Sequence, residues 1–144
     1  MTIILASASK RRSSILSSCG IKHKIVVSGV KERMDGKNPA FISMMNARLK
    51  AEGVRTDIRS GYIIGADTVV LLGKKVIGKP RDPAHARQML RAMSGKAIYV
   101  YTGICVIDAK TGGISTACEC SEVNVKKIKP ADIARYFKLL GPYD

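Results

Sequence analysis

The segment Tyr62 to Leu72 constrains this chain more than any other. Two strongly apolar stretches, Tyr62-Ile63-Ile64 and Val69-Val70-Leu71-Leu72, enclose Gly65-Ala66-Asp67-Thr68. A carboxylate and a hydroxyl between such walls are costly to bury without a purpose. Asp67 can there hold a divalent ion, or orient and deprotonate a water. The structural alternative is a turn that Asp67 and Thr68 close through local hydrogen bonds. The apolar walls on both sides favour function.

Strands and helices alternate around this segment. Thr2 to Ala6 reads as a short buried strand, Ser7-Ala8-Ser9 as a helix start and Gly20 as its C′ position. His23 to Ser28 reads as a second strand, and a basic loop follows from Gly29 to Lys37. Asn38-Pro39 opens a helix running to about Glu52, with Phe41, Met45 and Leu49 predicted as its apolar face. Gly73-Lys74-Lys75 turns the chain into a short strand, Val76 to Gly78. Asp82-Pro83 repeats the cap-and-proline signal for a helix through Met93, with Ala86, Met89, Leu90 and Met93 on its apolar side. Two longer strands, Ile98 to Asp108 and Ile114 to Lys126, flank a turn at Thr111-Gly112-Gly113. A last helix starts near Pro130, carries Ile133, Tyr136, Phe137 and Leu140, and meets Gly141-Pro142. The order predicts an α/β fold, a single domain over residues 1–144 with a central mixed, twisted sheet flanked by helices.

Composition narrows the class. With 46% apolar residues the chain is expected to be globular, and no apolar run reaches the ~20 residues of a membrane-spanning helix. The start, Met1-Thr2-Ile3-Ile4-Leu5-Ala6, has no basic region before its apolar residues and reads as a strand, not a signal peptide. Cys19, Cys105, Cys118 and Cys120 are few and irregularly spaced, which suits reduced thiols in a cytoplasmic protein. Lys and Arg outnumber Asp and Glu by 25 to 11, a formal charge of +14 that favours a polyanionic ligand. With five Tyr, two Phe and no Trp, none interleaved with the basic residues, a stacking platform for nucleic acid is poorly supported.

Four clusters can carry chemistry. Ser7-Ala8-Ser9-Lys10-Arg11-Arg12 combines a helix start, hydroxyls and two guanidiniums, a set suited to phosphate. Its alternative is Ser9 as a plain cap with the arginines in solvent. Asp67 and Thr68 form the second cluster. In the third, Gly78-Lys79-Pro80-x-Asp82, Lys79 is a point charge between constrained neighbours, while Asp82 reads first as a helix cap. The spacing is not that of a P-loop. The fourth is Glu32 with Lys50: Glu32 can supply a second acidic metal ligand, although either residue alone is an ordinary surface charge. His23 and His85 read as structural or solvated, and no Ser-His-Asp set is evident. Chemistry without histidine or a reactive cysteine points to metal-assisted attack of water on phosphorus.

Taken in order, these clusters resemble the Maf family of nucleoside triphosphate pyrophosphatases. The resemblance rests on Leu5-Ala6-Ser7-Ala8-Ser9-x-Arg11-Arg12, Ala47-x-x-Lys50-Ala51, Ile64-Gly65-Ala66-Asp67-Thr68-Val69-Val70, Gly78-Lys79-Pro80-x-Asp82 with Met89-Leu90, Ser94-Gly95, and Val100-Tyr101-Thr102-Gly103. It implies a fold of the Maf and inosine-triphosphatase type, and hydrolysis between the α and β phosphates to a monophosphate and pyrophosphate. Asp67, Lys79 and Glu32 become the implied catalytic residues, with Asp67 as general base. Ser7, Arg11, Arg12, Lys50, Thr68 and Asp82 become the implied substrate-binding residues, and Glu32 and Asp67 the implied ligands of a divalent cation, Mg²⁺ or Mn²⁺. Thr68 resembles the branch acting on dTTP and UTP; the branch acting on 7-methyl-GTP typically has Gln there. The partner expected is the triphosphate itself, with a homodimer left open, no membrane, and nucleic acid disfavoured. A competing reading is a non-catalytic nucleotide-binding regulator of cell division or septum formation.

Three departures stand out. Lys10 takes the place of the family's usual Pro, and Ile98 that of a common His. The family also continues past Pro142-Tyr143-Asp144 into an Asp-Lys-Ala-Gly-type segment, a substrate-selecting Gln and closing strands. The expectation is therefore a domain lacking its usual C-terminal segment.

Overall fold

The structure, a computed structural model, describes residues 1–34, 36 and 38–140. Asp35 and Lys37 of the basic loop, and the expected helix end at Gly141-Pro142 with Tyr143 and Asp144, lie outside the described residues. The elements are β1 (Ile3–Leu5), α1 (Lys10–Ser18), β2 (Lys24–Ile25), α2 (Pro39–Glu52), a 3-10 turn (Arg55–Asp57), β3 (Tyr62–Leu72), β4 (Lys75–Ile77), α3 (Pro83–Met93), β5 (Ala97–Asp108), β6 (Ile114–Asn124) and α4 (Pro130–Leu140). The sheet has six strands in the order β2-β1-β3-β5-β6, with β4 on β3. β1 runs parallel to β2 and β3 while β4 is antiparallel to β3, so the sheet is mixed, as the element order predicts.

The described residues of 1–69 and 101–120 form one compact unit, and those of 70–100 and 121–140 a second. The first has a core of Ile4, Ala6, Ala47, Ala51, Val54, Ile63, Cys105 and Ile107. Within it, α2 lies against the sheet at two glycines. A Cβ on Gly65 would strike the Ala47 carbonyl oxygen and come within 2.9 Å of the Ala51 nitrogen; one on Gly103 would strike the Ser43 and Met44 backbone. Only hydrogen at those positions lets helix and strand backbones meet.

That close approach selects the buried face of α2, and it is not the predicted one. Ile42, Ser43, Asn46, Ala47 and Ala51 are buried, whereas Phe41 is 58% exposed and Met45 and Leu49 only half-buried. Bulky residues cannot fit over the glycines, so small ones do. The cap is as expected: Asn38 Oδ1 accepts from the Ala40 and Phe41 amides.

One further expectation is corrected, and the turn alternative for Asp67 and Thr68 falls away. Tyr62–Leu72 is one unbroken strand, so Gly65 to Thr68 is not a turn. Its partner β1 offers just three residues, which limits β2 to Lys24–Ile25 rather than His23 to Ser28. Val26 adds one bond to the Leu5 carbonyl, after which Val27 stands 61% exposed.

In the second unit, Val70 to Leu72 pair with Lys75 to Ile77. The predicted inner side of α3 holds, with Ala86 buried and Met89, Leu90 and Met93 half-buried. Arg87 stacks over Phe137 of α4 at 5.4 Å, and Ile133 is buried. Ser94 Oγ accepts from the Ile128 amide at 2.7 Å, fastening the chain that leaves β6.

Candidate active site

Alternation along β3 sends neighbouring side chains to opposite faces. Asp67 shares its face with Gly65 and meets α2; Thr68 meets Arg12 of α1 and Thr102 of β5. The Asp67 carboxylate is 7% exposed and both oxygens are held. Lys50 Nζ donates to Oδ1 at 2.6 Å, and Asn46 Nδ2 donates to Oδ2 at 3.0 Å. One helical turn separates the two donors, so a single helix presents both. The same Lys50 ammonium donates to Glu32 Oε1 at 2.8 Å. Glu32, Lys50 and Asp67 thus form a carboxylate–ammonium–carboxylate bridge from residues 18 and 17 positions apart in sequence.

Asn46 has a second task. Its Oδ1 accepts from the Arg33 amide at 2.8 Å and its Nδ2 donates to the Arg33 carbonyl at 2.9 Å. The segment that carries Glu32 is thereby fixed to α2. Sequence reading missed this residue because a lone Asn in a helix reads as surface. Its spacing of four from Lys50, which the reading did include, was the available signal.

On the other side of β3, Ser9 caps α1 and accepts from the Arg12 amide at 3.5 Å. Ser7 Oγ takes the Ser9 amide at 3.2 Å. Arg12 Nη1 donates to Ser7 Oγ at 3.2 Å and to the Ala66 carbonyl at 2.8 Å, and its Nη2 donates to Thr68 Oγ1 at 3.2 Å. Burial lowers the Arg12 pKa, while Asp67 and Glu32 pull it back up and Arg11 lowers it further. The guanidinium remains charged throughout the working range. Lys10, Arg11 and Arg12 occupy the first turn of α1, with no acidic residue there. Cations at the positive end of a helix are each disfavoured by about 0.3–1 kcal/mol, and an anion bound there would reverse that.

Both cationic groups converge on one atom. Arg12 and Lys50 donate to the Ala66 carbonyl oxygen, at 2.8 and 3.4 Å, beside the Asp67 carboxylate. Ser7, Arg12, Glu32, Lys50, Asp67 and Thr68 are therefore brought together. Arg11, next to Arg12 on α1, is exposed. Lys79 and Asp82 belong to the second unit: Lys79 is exposed, and Asp82 caps α3 by accepting the His85 amide at 2.7 Å. His23 is structural, held between Ser13 Oγ and the Ile21 carbonyl.

Glu32 and Asp67 are two hard oxygen donors that share the Lys50 ammonium, and Mg²⁺ commonly uses one or two carboxylates and completes its shell with water and phosphate oxygens. The pair fits such an ion in chemistry. No cluster of three or more His, Cys, Asp or Glu occurs among the described residues. None of their helices is long and apolar enough to cross a membrane.

Fold and site together define a mixed-sheet α/β protein with a cation-lined carboxylate centre on its central strand. The fold is also that of the Staphylococcus aureus Ham1 protein, at a TM-score of 0.58 and 12% identity over 86% of this chain and 71% of that one. Residues 2–144 match the family described as Maf-like protein, and the chain belongs to that family. Its relatives include proteins named dTTP/UTP pyrophosphatase. That of Clostridium novyi is 38% identical, the match covering 100% of this chain and 77% of the relative. The one from Alkaliphilus metalliredigens is 42% identical, over 99% and 74%. The Desulforamulus reducens protein is 40% identical, over 99% and 75%.

Proposed function

We propose that this chain is a nucleoside triphosphate pyrophosphatase that hydrolyses dTTP and UTP, or modified pyrimidine triphosphates, to the monophosphate and pyrophosphate. The observation that carries the reading is the meeting of Arg12 and Lys50 on the Ala66 carbonyl beside Asp67. The Ala66 carbonyl is a neutral acceptor, and a phosphate oxygen reaching the same cations would add charge–charge attraction to the hydrogen bonds. The names of the relatives supply the substrate class.

In this account Ser7, Arg11, Arg12 and Lys50 bind the phosphates and Thr68 reads the base. Asp67 accepts a proton from a water. The water oxygen bonds to the α phosphorus, the bond from that phosphorus to the bridging oxygen breaks, and pyrophosphate leaves with the electron pair. Lys50 holds the Asp67 carboxylate in place through its bond to Oδ1. Glu32 and Asp67 would hold Mg²⁺ or Mn²⁺, which when bound neutralises phosphate charge. The four unbridged cysteines favour a reducing compartment such as the cytoplasm.

The test is product analysis with dTTP and UTP in the presence of Mg²⁺. Pyrophosphate release that Asp67→Asn abolishes is expected. Release of orthophosphate alone, or unchanged turnover in the variant, refutes the assignment.

A further inference from the structure

We infer that Asn46 is a positioning residue that fastens the Glu32-bearing segment and the Asp67 carboxylate to one point on α2. The role rests on the pyrophosphatase reading above, but its geometry stands apart from it. Asn46 is 1% exposed, and its carboxamide makes three hydrogen bonds: from the Arg33 amide at 2.8 Å, to the Arg33 carbonyl at 2.9 Å and to Asp67 Oδ2 at 3.0 Å. The two bonds to Arg33 close a ring on the backbone next to Glu32, as a strand partner would.

The consequence follows from what each carboxylate is attached to. Glu32 sits in a stretch without regular secondary structure, and Asp67 on the central strand. Lys50 bridges them, but a flexible ammonium with three rotatable donors fixes no direction. The planar carboxamide does. It ties the backbone at Arg33 and the second oxygen of Asp67 to one side chain, leaving Lys50 Nζ between Glu32 and Oδ1. The hydrogen bonds of Asn46 run to Arg33 and Asp67, neither of which is assigned to phosphate binding. It is therefore expected to influence kcat rather than substrate affinity, because a misplacement of about 1 Å at a reacting group costs on the order of 10² in rate.

Two variants separate its tasks. Asn46→Asp keeps an acceptor for the Arg33 amide but sets an oxygen against Asp67 Oδ2; Asn46→Leu keeps the approximate shape and loses every hydrogen bond. Both should lower kcat for dTTP by about tenfold or more, with KM changed less than about threefold. Asn46→Leu alone should speed hydrogen exchange at the Arg33 amide, while Asn46→Asp should leave that amide protected. Wild-type kcat in Asn46→Asp, or a loss carried wholly by KM, overturns the positioning role. If the unsubstituted chain releases no pyrophosphate from any triphosphate, the functional reading fails instead. The clamp is then decided by exchange: acceleration at Arg33 in Asn46→Leu upholds it, and unchanged protection overturns it.

Discussion

Replacing Gly65 by Ala should weaken the fold and displace Lys50 with a single methyl group. The added Cβ would stand 3.0 Å from the Ala51 Cβ and 2.9 Å from its nitrogen, besides striking the Ala47 carbonyl. Carbon pairs rest at about 3.5–4.0 Å and the Ala47 oxygen lies closer than either Ala51 atom, so α2 must retreat by more than about 1 Å, and the obstacles are mainly backbone atoms that no rotamer change removes. Overpacking of this kind costs about 3 kcal/mol, at the upper end of its usual range. The loss of unfolded-state freedom on going from Gly to Ala returns up to about 1 kcal/mol. A net cost of about 2 kcal/mol, set against an unfolding entropy of about 0.3 kcal/mol/K for a chain of this size, lowers Tm by about 7 °C. Because Lys50 rides on α2 at 2.6 Å from Asp67, the same retreat should reduce kcat by about 10²-fold. Thermal unfolding followed by circular dichroism, paired with pyrophosphate release, reads both effects. A Tm within about 2 °C of the parent together with full turnover would refute the idea that α2 is seated on Gly65.

Lys50→Met should remove the cation shared by Glu32 and Asp67 and leave a nearly buried carboxylate without its partner. Urea denaturation should show a loss of about 3 kcal/mol, and turnover should fall to background; a stable variant with normal kcat would contradict the bridge. Asp108 closes the turn before β6, its Oδ1 accepting from the Lys110 amide at 2.9 Å and the Thr111 amide at 3.3 Å. The Lys110 backbone bond leads the causes that lower its pKa in the folded state. A carboxylate depressed in this way contributes stability above its ordinary value of about 3.9 and loses it as pH falls through the lower folded value. Tm measured from about pH 6 down to pH 2 should therefore fall less steeply in Asp108→Asn, and parallel curves would rule out the contribution.

The site was legible in sequence where chemistry and environment conflict. Asp67 shows itself because a carboxylate stands between two apolar stretches, and burial is what such stretches impose. Arg12 and Ser7 show themselves at a helix start, where hydroxyls and amides have a known local geometry. The inner face of α2 was not legible by the same logic. Periodicity counts large apolar residues, and Phe41, Met45 and Leu49 repeat as they should, yet the sheet admits only Ser43, Ala47 and Ala51 over Gly65 and Gly103. Closeness of backbone, not hydrophobicity, sets that face, and small residues carry little signal. Asn46 was hidden with it. β2 was overestimated because apolar content from His23 to Ser28 says nothing of how many partner residues β1 can offer.

The central claim is that Asp67 activates a water for attack at the α phosphorus. Turnover of dTTP in ¹⁸O-labelled water tests it most directly, with the products resolved by mass spectrometry. The account predicts one labelled oxygen in dTMP, none in pyrophosphate, and no label transfer in Asp67→Asn. Label in the pyrophosphate, or labelled dTMP formed at an undiminished rate by the variant, would contradict it.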